Sequence, residues 1–201
     1  GFKQTVSQKV FSFIGHIRVL EKEPGKSIIA EETPITRNDT VAAAIRQNPA
    51  VTGILPYATR YAILKTKTEI EGLIIKGLDS SSGVGHPNRF IKEGRPIRYN
   101  DSSYSREIML SASTAERMNI RLNDRVMIYF IKPNGQLRPD KLTVTGIYKT
   151  GIEEYDKTFA IADIQLIQRL NADSSELSDG SFRNQIGGYE IFLDDYRKIG
   201  K

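Results

Sequence analysis

The stretch GIYKTGIEEYDKTFAIADIQLIQRL, Gly146 to Leu170, decides how the chain is read. Its first residues alternate as a strand does, and a charged turn follows. A second strand, KTFAIAD, then gives way to a helix with Ile164, Ile167 and Leu170 at helical spacing. Asp163 stands at that helix start, where a carboxylate can meet free backbone N–H groups. The turn holds Glu153, Glu154 and Asp156 beside Tyr155 and Lys157. It is either a catalytic site or a rigid corner of a scaffold, and the rest of the chain has to decide.

Upstream, DRVMIYFI and KLTVTGIYKT are strands joined by KPNGQLRPD. Pro133, Asn134 and Gly135 are strong turn residues, so Arg125 to Thr150 reads as a β-hairpin with a protruding tip. Before it come the strand REIMLS and a short helix, SASTAERMN, capped by Ser111 or Ser113. Earlier still, HIRVL is a strand, and RNDTVAAAIRQNPAV a helix with Asn38 or Asp39 at its N-terminus. Val41, Ala44 and Ile45 form its expected buried stripe. VTGILPYATRYAILKT and TEIEGLIIKGL follow as β-branched strand runs. Downstream, ADSSELSDGSFRNQ is a polar loop and GGYEIFLDD a last strand. Short strands with hairpin signals and few helices predict an α+β fold, not a doubly wound parallel sheet.

Composition narrows the function. Of 201 residues, 39% are hydrophobic and 26% charged, which suits a folded chain. No apolar run reaches membrane-spanning length. Cysteine is absent, which removes disulfides, thiol catalysis and Cys-ligated zinc. The charge of +5 is dispersed, with one moderate cluster in RFIKEGRPIR interrupted by Glu93, so nucleic-acid binding is not expected. The chain opens on Gly1, and a piece of a longer protein is expected.

Catalytic and metal motifs fail on spacing. The acidic cluster lacks the alternating donors and glycine of a calcium loop, and reads as a solvated turn. His16 and His86 are the only histidines, with no zinc spacing. SSSGVGH lacks the ending of a phosphate loop, and SASTAERM lacks a serine-nucleophile pattern. Tyr57, Thr59 and Tyr61 fall on one strand face. No enzyme activity, cofactor or metal is expected.

At the N-terminus, Phe2, Val6, Val10 and Phe13 make an apolar stripe ended by Gly15. Two readings stand: a helix packed on the domain's own core, or a poorly buried stalk continuing a membrane helix.

The order GHIRVL, NPAV, TGILPYATRYAIL, LIIKGLD, FIKEGRPI, EIMLSASTAERMNIRLNDRVMIYFI, LTVTGIYKTGIEEYDKTFAIADIQLIQRLN and IGGYEIFLDD resembles the extracytoplasmic domain of LolC/LolE-type lipoprotein-releasing ABC transporter permeases. These belong to the FtsX-like, MacB-like group. The resemblance implies two lobes. Residues 1–79 and 186–201 would form a Porter-like α/β lobe with a stalk helix at 2–14 and a truncated C-terminal part. Residues 80–185 would form a β-rich Sabre-like lobe. It further implies an inner-membrane protein with this domain on the periplasmic side. ATP would be hydrolysed by a cytoplasmic partner subunit. The other implied partners are the membrane-embedded remainder of the permease, a second permease copy or paralogue, and a lipoprotein with its periplasmic carrier. A MacB-like efflux or mechanotransmission permease working with an adaptor is the alternative; a small ligand-binding or enzymatic module is a further one. Two departures from the pattern are a short hairpin in place of a long hook, and the extra segment 172–185. The partner-contact expectation falls on the tip, Pro133, Asn134, Gly135, Gln136, Leu137, Arg138 and Pro139.

Overall fold

The computed structural model describes residues 10–27, 29–82, 87–100, 103–132, 134–172 and 174–195. Residues 10–14 are helical (α1). The strands are β1 (Ile17–Leu20), β2 (Ile35–Thr36), β3 (Val51–Lys65), β4 (Ile70–Leu78), β5 (Ile91–Gly94), β6 (Glu107–Ser111), β7 (Arg125–Ile131), β8 (Leu137–Tyr148), β9 (Phe159–Asp163), β10 (Gln185–Ile186) and β11 (Gly188–Leu193). The remaining α-helices are α2 (Asp39–Arg46), α3 (Ala112–Arg117), α4 (Glu153–Thr158), α5 (Ile164–Asn171) and α6 (Ser174–Asp179).

All strands except β2 and β10 join one nine-stranded sheet in the order β1-β11-β3-β4-β9-β6-β8-β5, with β7 bridging β3 and β8. That bridge closes a ring: β3, β4, β9, β6, β8 and β7 pair in a circuit. Only β4–β9 and β6–β8 are parallel among the described pairings, so the fold is α+β as expected from sequence. Strand length explains the closure. β3 is long enough to take β11 along its first half and β7 along its second, with β4 on the other edge. β8 does the same for β7 and β5.

Period-two alternation fills the ring. Ala62, Leu64, Leu73, Ile75, Val126, Ile128, Phe130 and Leu142 are buried in one cluster, with Ile164, Ile167 and Leu170 of α5 packed onto it. Gly77 lets α5 approach, since a Cβ there would lie 2.7 Å from the Ile164 Cα. A second cluster forms on the outside of the wall, where Phe13, Ile74, Leu78, Phe90, Tyr148, Tyr155 and Phe159 meet.

Several local expectations change. The charged turn is helix α4, because its acids sit in a first turn, where the helix dipole favours them, and Glu153 pairs with Lys157 one turn on. ADSSELSDGSFRNQ is not a loop: α6 and a short 3₁₀ turn bury Phe182, and β10 pairs with β2. In α2 the packed positions are Ala42 and Ile45, while Val41 and Ala44 face solvent. The helix has the expected Asn38 cap on the Val41 N–H.

Candidate functional site

The hairpin tip is smaller than its sequence suggests. The connection is residues 132–136, with Gly135 left-handed and Asn134 Oδ1 accepting from the Gln136 N–H at 3.0 Å. Leu137, Arg138 and Pro139 are strand residues, opposite Ile131, Phe130 and Tyr129. Leu137 is 53% exposed, whereas the Arg138 guanidinium turns to the Arg169 carbonyl of α5. Pro133 lies outside the described residues.

The N-terminal stripe divides. Phe2 and Val6 lie outside the described residues, and Val10 is half-buried. Phe13 is only 3% exposed, so a poorly buried helix is corrected at this position. Its ring packs within 5.5–6.1 Å of Tyr155, Tyr148, Phe159 and Phe90. This aromatic pocket exists because outward-facing residues of β4, β8 and β9 need a cover, and α1 supplies it.

Beside Phe13 lies a feature the sequence reading missed. Lys76 and Glu190 are 3% and 2% exposed and joined at 2.7 Å. The Lys76 ammonium also donates to the Phe13 carbonyl at 2.8 Å and sits 4.9 Å from the Phe13 ring centroid. It therefore caps the end of α1, where free carbonyls favour a cation. Register explains the assembly. Arg18 of β1 stands opposite Glu190 of β11. Glu190 stands opposite Leu55, and Lys76 of β4 opposite Thr59, so Tyr57 of β3 lies between them on the same face. Four adjacent strands each contribute one polar group to a diagonal row across that face. Glu32, in the 29–34 connection, lies over this row. Its carboxylate accepts from Arg18 at 3.0 Å and from the Tyr57 hydroxyl at 3.2 Å. Its N–H donates to Thr59 Oγ1 at 2.6 Å. Burial pushes the Lys76 pKa down and the Glu190 pKa up, each opposed by the other's charge. Burial and the Glu32 charge raise Tyr57 well above its ordinary value. The signal available in sequence was a lone lysine in LIIKGL and a lone glutamate in GGYEIFL, opposite charges in two apolar strands.

The acidic cluster separates by burial. Glu153 and Glu154 face solvent. Asp156 is buried, a correction to the solvated turn. It accepts from the Thr150 N–H at 2.9 Å, the Thr150 hydroxyl at 2.8 Å and the Gly151 N–H at 3.0 Å. Its own carbonyl accepts from Ser111, whose Oγ also caps α3 at the Thr114 N–H. The carboxylate is fully engaged in fixing a corner. Asp163 acts likewise, bridging the Ser105 and Gln165 N–H groups at 2.8 and 2.9 Å. His16 Nδ1 accepts from the Leu193 N–H at 3.1 Å, and burial lowers its pKa. His86 lies outside the described residues. Among the described residues, no three His, Asp or Glu side chains gather as a metal site. The basic segment is partly neutralised, with Arg95 held by both oxygens of Glu107 at 2.8 and 2.6 Å.

What this arrangement offers is mechanical. The end of a helix is locked to four strands by a charge pair, a carbonyl cap and an aromatic pocket, with no reactive group left over in the row.

No family model matches the chain. It is 21% identical over 211 aligned residues, 97% of its own length, to the lipoprotein-releasing system transmembrane protein LolE of Haemophilus influenzae. It spans 44% of that relative, less than half its length. Among solved structures, the periplasmic region of MacB from Actinobacillus actinomycetemcomitans is similar at TM-score 0.53 and 11% identity, covering 96% of this chain and 81% of that one. The extracellular domain of the noncanonic ABC-type transporter YknZ from Gram-positive bacteria is similar at TM-score 0.51 and 16% identity, covering 83% and 76%. The chain has the fold of these extracytoplasmic transporter domains. The resemblance to the LolE-type, MacB-like permease group is thus met in both comparisons.

Proposed function

We propose that the chain is the extracytoplasmic module of an ABC transporter permease of the lipoprotein-releasing type. In this reading it couples ATP hydrolysis by a cytoplasmic subunit to the handling of a lipoprotein or its carrier. The observation that carries the reading is the Lys76–Glu190 lock on the end of α1. A helix joined to its domain through a buried pair and a packed phenylalanine cannot move without carrying the strands with it. The fold and the LolE likeness support the permease assignment. The lobe division at 1–79 with 186–201, and 80–185, belongs to the same reading. So do the inner-membrane location with this domain on the periplasmic side, and a second permease copy or paralogue. Among the described residues no helix is long and apolar enough to cross a membrane, so the spans would lie elsewhere in the protein.

The efflux or mechanotransmission alternative, with an adaptor protein, is favoured by one observation: the connection at 132–136 is too short to form a long hook. The test is reconstitution of the full-length protein with its ATPase subunit in vesicles carrying a lipoprotein. Phe13→Ala is expected to leave ATP hydrolysis running while release falls. Unchanged release at equal incorporation refutes coupling through α1. Export of a small solute with no lipoprotein release selects the alternative.

A further inference from the structure

Part of the ring's outer wall is apolar and partly exposed, with Tyr61, Ile70 and Leu137 open to solvent and Ile63, Met127 and Tyr129 half-buried. Inward positions on β3, β4, β7 and β8 are the buried Leu64, Leu73, Ile128 and Leu142, so the alternate residues point outward. Near the chain ends that outer wall is covered: Tyr57 and Thr59 lie under Glu32, and Lys76 under α1. The cover ends at Tyr61, which is 46% exposed. Beyond it the register lines up Ile63 beside Tyr129, and Ile70 and Lys65 beside Met127. Ile70 is 67% exposed, and Leu137 borders the same wall on β8. An antiparallel wall that faces only water carries polar residues at its outward positions. This one carries tyrosine, isoleucine, methionine and leucine, the composition of a protein interface core.

Charge selects the occupant. The cations at outward positions, Lys65, Arg125 and Lys141, gather at one end of the wall, where Met127 lies between Lys65 and Lys141 and Ile70 stands opposite Lys65. None is ion-paired among the described residues, and no carboxylate occupies an outward position on these stretches. A second copy meeting the same face would bring these cations together or bury them unpaired. A membrane surface is better met by cations around the whole rim of an apolar patch than by three at one end. We infer that this wall docks an extracytoplasmic protein through an apolar patch flanked by carboxylates. The inference rests on the permease-module reading only for where that partner is met.

The experiment places a photoreactive benzoyl-phenylalanine at Tyr61, Ile63 or Tyr129 of the full-length protein in cells, with exposed Lys92 on β5 as the control position. Adducts to one extracytoplasmic protein are expected at the wall and not at Lys92, mapping to a peptide with carboxylates beside apolar residues. Adduct yield is expected to fall about tenfold or more in K65E/R125E/K141E, since carboxylates at these positions would face the partner's own carboxylates, like charge against like. If that triple variant does not fold, K65Q/R125Q/K141Q is expected to weaken the adduct and remove its salt sensitivity. Adducts to lipid alone, to a second copy alone, or to nothing overturn the inference, as does a yield indifferent to charge. Membrane fractionation of the same cells reads the module assignment separately. A full-length protein found in the soluble fraction with its wall adduct intact sinks the permease reading and leaves the docking wall standing.

Discussion

Removing the Lys76 ammonium separates two jobs that one side chain performs. Lys76→Met keeps the length of the side chain but leaves Glu190 charged, buried and without its 2.7 Å partner. Breaking a buried pair from one side costs about 3–5 kcal/mol. Arg18, opposite Glu190 and still partly hydrated, offsets some of that, which places the expected loss near the lower end, at about 3 kcal/mol. The Phe13 carbonyl also loses its 2.8 Å donor, for a further ~1 kcal/mol. Against a total stability of roughly 5–15 kcal/mol for a folded domain, the variant is visibly weakened. The double variant K76M/E190M removes both charges, and apolar replacement of a whole buried pair is often neutral or stabilising. It should recover most of the loss.

The double variant nevertheless leaves Phe13 without its cap. Urea unfolding followed by circular dichroism gives the stabilities, with the slope checked for constancy. Hydrogen exchange over residues 10–17 gives the helix anchoring. Recovered stability with fast exchange at 10–17 is the expected pattern. A K76M loss below about 1 kcal/mol, or a double variant no better than the single, refutes a buried ion pair. Protection at 10–17 equal to the parent in K76M/E190M refutes the cap. Glu190→Gln supplies the same pairing test should K76M not fold.

Three other outcomes follow from named contacts. Phe13→Ala empties a pocket walled by four aromatic rings and is expected to cost about 3–5 kcal/mol in urea unfolding. Asp156→Ala strips three donors of their acceptor and is expected to cost about 2–3 kcal/mol, whereas exposed Glu154→Gln should stay within about 0.5; equal effects would return the acidic cluster to a solvated turn. His16 is held neutral by burial, with its folded pKa below the ordinary 6.5. The unfolded chain therefore takes up the proton first, and stability present above pH 6.5 falls as the pH drops towards the lowered value. His16→Asn should flatten that slope between neutral and mildly acidic pH, and a parent with no slope there overturns the assignment.

The parts of this fold that were legible in the sequence are those set by local chemistry. The Asn38, Ser111 and Asp163 caps, the α5 stripe and the Arg125–Thr150 hairpin all rest on residues a few positions apart. What escaped depends on the folded surroundings, whether the partners lie near or far in sequence. Lys76 meets Glu190 across 114 positions, and only strand order brings them together. Asp156 looked solvated because its neighbours are charged, yet its partners Thr150 and Gly151 become partners only once the corner has folded. The α4 turn was misread for a related reason: helix-dipole and one-turn pairing terms are small, and they decide a six-residue segment only when Tyr155 is already buried against Phe13.

The placement of the cover on the outer wall ties the two ends of this molecule together. β3 and β4 run side by side from Tyr57 and Leu78, beneath α1 and Glu32, to Lys65 and Ile70, where the wall is bare. That span of strand is about 25–30 Å at the usual rise per residue. Over that length both strands are paired with each other and packed on a filled interior, so the wall has little room to bend between its ends. A displacement applied at the Phe13 pocket therefore arrives at the proposed docking wall as a rigid tilt, not as a local loosening. Such a link works only if its fixed end is stronger than its docking end. The locked end has a buried charge pair, a capped carbonyl and four aromatic contacts, while the bare end offers side chains and cations for reversible contact. A protein whose partner gripped α1 instead would need that pocket open, and Phe13 is closed on all four rings.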